Sequence, residues 1–157
     1  LAIVSGVPLL PDYRWHFIAR QWRRPLLGEL AMGFTFKAAL RNVINRGSHR
    51  PVPADFLDAT WEHFDHGTQR AILKLYRSSP PARLAEAGER LGAVDCPALV
   101  VYGARDPYIP PAFADAYAAA LGGETVARVL PDAGHWPWLD EPALIDEIVA
   151  FAAGKAG

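Results

Sequence analysis

His135 stands in the stretch DAGHWPWLDEP (residues 132–142), between a glycine and a tryptophan, after an apolar run and before a helical one. An imidazole has an ordinary pKa of about 6.5, so it can take up and return a proton near neutral pH. His135 is therefore a candidate general base. Asp106, in GARDPYIP (residues 103–110), is the carboxylate best placed to join it. Each residue has a plainer reading by itself. An aspartate before a proline is a common turn formula, and a solitary loop histidine is usually surface or filler. Asp132 is a competing carboxylate, but PDAG reads as turn chemistry and ranks below Asp106. Order is what raises the pair above its parts: each residue follows its own compact apolar run.

Other residue types that carry chemistry have weaker claims. Cys96 is the only cysteine. No internal disulfide can form, so no oxidising compartment is required and a cytoplasmic location is expected. Cys96 precedes Pro97 at the start of an apolar run, where a small buried residue is expected rather than a reactive thiol. His63 and His66 flank Asp65, but without further ligands they read as a solvated turn, and neither a metal nor a cofactor site is expected. The net charge is −1, with 51% apolar and 21% charged residues. That balance does not point to a nucleic-acid or anionic-membrane partner, which would need a basic excess on one face. The short cluster RQWRRP (20–25) reads as a solvated helix face. No apolar run approaches the roughly 20 residues that span a bilayer.

The elements that would position the pair follow from periodicity. LAIVSG reads as a short buried strand. From Pro8 to Val94 only helical stretches appear. Trp15, Ile18, Ala19 and Trp22 have helical spacing. GELAMGFTFKAALRNVINRG reads as continuing helix that stops at Gly47. PADFLDATWEHF places Phe56, Leu57, Thr60, Trp61 and Phe64 on one face behind Pro53. DHGTQRAILKLYRS starts at Asp65 as N-cap and ends before Pro80 and Pro81, and ARLAEAGERLGAV adds a short helix. CPALVVYGARD, apolar on both faces, reads as a central parallel strand. PPAFADAYAAALGG is a helix with Phe113, Tyr117 and Leu121 on one side, and TVARVL is another strand. DEPALIDEIVAFAAG closes the chain as an amphipathic helix. Asp140 is expected at its cap, Leu144, Ile145, Ile148, Val149 and Phe151 inward, and Gly154 past its end.

Strands alternating with helices imply an α/β fold with a parallel sheet and right-handed crossovers. The helical block is too long for one crossover and reads as an inserted subdomain. Three regions result: residues 1–7, a strand of the core sheet; 8–94, the inserted helical subdomain; and 95–157, the rest of the core. Functional groups in open parallel sheets gather at the carboxyl ends of strands. Asp106 and His135 would both open there, on neighbouring strands.

CPALVVYGARDPYIP followed by VLPDAGHWPWLDEP and a terminal helix resembles the C-terminal portion of the α/β-hydrolase superfamily, most of all its capped esterase-, epoxide-hydrolase- and haloalkane-dehalogenase-like groups. In that family a triad runs nucleophile, acid, histidine in chain order. The resemblance implies that Asp106 is the acid and His135 the catalytic histidine, and that residues 8–94 are the cap inserted after the sixth strand. His135 would accept the nucleophile's proton, or activate water, and return it to the leaving group. Asp106 would fix the imidazole tautomer and stabilise the imidazolium. Hydrolysis of an ester or similar small apolar substrate is the expected reaction. The cap aromatics Trp15, Phe17, Trp22, Phe34, Phe36, Trp61, Phe64 and Tyr76 are expected mostly in the core, with some lining an apolar pocket. Trp136 and Trp138 are expected to pack the histidine loop.

One departure matters. The family's nucleophile sits in G-x-S-x-G, or the same turn with Asp or Cys, and no such turn exists in this chain. Ser5, Ser48, Ser78 and Ser79 all lack the flanking glycines. The oxyanion motif is also missing: His66-Gly67 opens a helix and follows no strand. The expectation is a fragment, inactive alone, whose partner is the N-terminal half of the core, and which can self-associate through the bare edge of LAIVSG. Two alternatives stand beside ester hydrolysis. One is epoxide opening or dehalogenation with an upstream aspartate nucleophile. The other is a non-catalytic interaction protein of the same fold, against which the presence of both Asp106 and His135 argues.

Overall fold

The computed structural model describes residues 1–154. β1 (Ala2–Val4), β2 (Ala98–Gly103) and β3 (Thr125–Leu130) form a parallel sheet in that order. The register sets Ile3 against Val100 and Val100 against Ala127. Every residue of β2 is buried, as a strand covered on both faces must be. Its side chains alternate. Ala98, Val100 and Tyr102 pack with Ala114, Tyr117 and Leu121 of the segment around α7 (Phe113–Ala120). Leu99 and Val101 pack with Leu130, Ala133 and Leu144 on the opposite face, against α9 (Ala143–Ala152).

Between β1 and β2 lies an all-helical block: α1 (Phe17–Trp22), α2 (Leu27–Gly33), α3 (Lys37–Gly47), α4 (Ala54–Glu62), α5 (His66–Ser78) and α6 (Pro81–Gly88), followed by a single 3-10 turn at Leu91–Ala93. Asp65 caps α5 as expected, its Oδ1 accepting from the Thr68 N–H at 2.7 Å. The block has its own apolar centre of Tyr13, Trp15 and Ala19, with Tyr76, Leu84 and Phe113 packed against it. The Trp15 indole donates to the Ser79 carbonyl at 2.8 Å, which ties the start of α1 to the end of α5. Arg77 of α5 grips Glu29 of α2 with both guanidinium nitrogens, at 2.6 and 2.8 Å.

Four expectations are corrected. The stretch from Gly28 to Gly47 is two helices, broken at Phe34–Phe36. Gly33 ends α2, the Thr35 hydroxyl bonds back to the Ala31 carbonyl, and Phe36 is extended, so local chemistry competes with a continuous helix. Cys96 is exposed, because burial starts only at Ala98, where the strand enters between its covering helices. On α9, Leu144, Ile148 and Phe151 face the sheet while Ile145 and Val149 are 50% and 61% exposed. Asp140 does not cap that helix. It ends a separate turn, α8 (Pro137–Asp140), and Pro142 stands at the α9 cap. Gly154 does follow α9, with φ +67. Among the described residues no helix is long and apolar enough to cross a membrane.

Candidate active site

Asp106 and His135 meet. The loop after β2 carries Asp106 and the loop after β3 carries His135, and parallel neighbouring strands deliver both to one edge of the sheet. His135 Nδ1 lies 2.8 Å from Asp106 Oδ2. The Asp106 side chain is fully buried and that of His135 is 22% exposed. Asp106 Oδ1 accepts from the backbone N–H of Tyr108 at 2.7 Å and of Ile109 at 3.1 Å. One oxygen thus closes the Asp-Pro turn and the other faces the imidazole. A carboxylate can only accept here, so Nδ1 carries the proton and Nε2 is left with a lone pair. Asp132 is elsewhere: it pairs with Arg105 at 2.8 Å on the surface.

Aromatic side chains set the orientation of the imidazole. Tyr108 meets it edge-on, with ring centres 5.1 Å apart at 87°, and Trp136 lies 4.2 Å away at 49°. The Tyr108 hydroxyl donates to the Val43 carbonyl of α3 at 2.8 Å, so that ring is itself fixed. His16, the N-cap of α1, lies with its ring centre 4.7 Å from that of Tyr108. Burial and, next, the nearby His135 hold the His16 pKa down, at about 4. His16 is therefore a neutral imidazole at the edge of the site.

The loop before His135 runs against bare backbone. A Cβ on Gly103 would stand 2.3 Å from the carbonyl oxygens of Ala133 and Gly134. A Cβ on Gly134 would stand 2.1 Å from the Gly47 carbonyl oxygen. Only glycine permits these approaches. The His135 N–H donates to that same Gly47 carbonyl at 2.5 Å.

A cavity of about 870 Å³ opens between the helical block and this edge of the sheet, a size suited to a small organic molecule. Trp22, Met32, Ile72, Trp136 and Trp138 line it beside His135. Phe64 joins them, whereas Phe17, Phe34 and Phe36 are exposed and Trp15 is core. Ser5 also lines the cavity, at the end of β1, with φ +44 and a buried hydroxyl without a partner among the described residues.

The profile of the Alpha/beta hydrolase family matches residues 2–148. This chain belongs to that family. Solved structures agree on this fold. Haloalkane dehalogenase DbeA from Bradyrhizobium elkanii superposes with a TM-score of 0.76 at 24% identity, over 99% of this chain and 58% of that one. The 2-hydroxy-6-oxo-6-phenylhexa-2,4-dienoate hydrolase from a Rhodococcus species gives 0.70 at 18%, over 96% and 53%. An esterase from Exiguobacterium antarcticum gives 0.67 at 14%, over 97% and 56%. This chain spans a little over half the length of each. No curated protein matches it in sequence.

Sequence reasoning missed three residues of the candidate site. Tyr108 and His16 are met only through tertiary packing. Asp140 was assigned to the wrong element, although its position five residues after His135 is plain in the sequence. Its carboxylate is buried in the loop that holds the histidine.

Proposed function

We propose that this chain is the cap-bearing, acid–base part of a hydrolase that cleaves an ester or a similar small apolar molecule. Asp106 orients His135 and balances the charge of the imidazolium; His135 Nε2 takes the proton from the nucleophile and returns it to the leaving group. The observation that carries this reading is the 2.8 Å contact between His135 Nδ1 and the fully buried Asp106 carboxylate, at the carboxyl ends of adjacent parallel strands. The nucleophile and the oxyanion donors belong to a segment of the fold that this sequence does not contain, since no nucleophile turn occurs in it. Residues 8–94 act as a cap whose apolar wall over His135 selects the substrate.

The test joins this chain to a nucleophile-bearing half and follows turnover of short nitrophenyl esters. His135→Ala and Asp106→Asn are each expected to lower kcat by about 10³–10⁴-fold, because both disrupt a single proton-transfer unit. Near-normal turnover in either variant would remove that residue from the mechanism. The chain by itself is expected to give no turnover above buffer.

A further inference from the structure

We propose that Asp140 is the positioning residue for His135, and that it works by clamping the segment after α3 to the histidine loop. The side chain is 1% exposed. Oδ2 accepts from the Gly134 N–H at 2.8 Å and from the His49 N–H at 3.1 Å, and Oδ1 accepts from the Arg50 N–H at 2.8 Å. Gly134 is the residue immediately before His135, so this bond fixes the peptide from which the imidazole hangs. His49 and Arg50 lie about 90 residues away in sequence, in the helical block. The same two segments meet again where the His135 N–H donates to Gly47. Three hydrogen bonds therefore join residues 47–50 to the histidine segment, two of them to the Asp140 carboxylate, and a fourth ties that carboxylate to Gly134.

The chemistry explains why an acid is used. Gly134, His49 and Arg50 present three N–H donors converging on one buried point, and a group that only accepts can answer all three. The rigid turn α8, opened by Pro137, carries Asp140 back beneath the loop that it holds. Helix-block position and histidine position are thus one structural unit at this end. The loop cannot turn the imidazole away from Asp106 without breaking the clamp.

The role rests on the reading of His135 as the base, but its test reads the geometry of the histidine and needs no turnover, so failure of the one is distinguishable from failure of the other. In the unaltered chain, the His135 Nδ1 proton held by Asp106 is expected as a low-field NMR resonance. Asp140→Asn keeps the shape but turns donors towards donors. The resonance is expected to vanish into solvent exchange, and the amides of Gly134, His49 and Arg50 to exchange at least tenfold faster. Asp132→Asn, an exposed carboxylate of the same loop, is expected to leave both readouts unchanged. A folded Asp140→Asn protein with an unchanged His135 resonance overturns the proposal. If that variant does not fold, hydrogen exchange on the unaltered chain decides. The three amides are expected to open together, and a protected Gly134 beside freely exchanging His49 and Arg50 overturns it.

Discussion

The two oxygens of Asp106 face different partners, and this reconciles a turn role with the catalytic one proposed above. Oδ1 holds the N–H groups of Tyr108 and Ile109, which locks the carboxylate against rotation, so Oδ2 meets His135 in a fixed direction. His16 supplies a prediction at the same scale. Its folded pKa of about 4 lies below the ordinary 6.5, so the unfolded chain binds the proton first. Stability is fully present above pH 6.5 and is lost as pH falls towards 4. Melting temperature against pH should therefore fall less steeply in His16→Gln than in the unaltered chain over that window. Identical slopes would mean that another group drives the loss.

At the scale of elements, local strain and burial make separable predictions. Leu26 has φ +65 and ψ −47, and the Leu27 N–H bonds to the Pro25 carbonyl at 2.8 Å. That is a γ-turn of the rare positive-φ kind, strained for any residue with a Cβ. The Leu26 side chain is 78% exposed, so little packing is lost on its removal. Leu26→Gly is expected to stabilise by about 1 kcal/mol in urea unfolding; a loss of that size would show that the side chain matters elsewhere. On α9, Leu144 is buried and Ile145 is half exposed. Leu144→Ala should cost about 2–5 kcal/mol and Ile145→Ala about 0.5 or less, measured the same way. Equal costs would contradict the orientation of the helix.

At the scale of the whole molecule, apolar surface is left uncovered on several elements. Val126 and Val129 of β3 and Ile145 and Val149 of α9 are 42–61% exposed, and the outer edge of β1 pairs with no strand among the described residues. Edge strands and apolar patches of this kind invite association. The chain alone is expected to self-associate with rising concentration in sedimentation velocity, and addition of a nucleophile-bearing half is expected to suppress this. A monodisperse monomer with a sharp thermal transition would sink the idea.

The sequence by itself determined what depends on local rules. The alternation of strands and helices, the buried run of β2, the Asp65 cap and the order Asp106 then His135 all follow from period, capping and turn chemistry within a few residues. Tertiary structure decided what depends on residues distant in the chain. Which flank of α9 faces the sheet could not be read from a helix apolar on most sides. Tyr108 and His16 gain their places from packing across the site. Asp140 looks like a helix cap in sequence because capping is a local rule. It serves instead as a clamp because the fold brings Gly134, His49 and Arg50, from two distant segments, to one buried carboxylate.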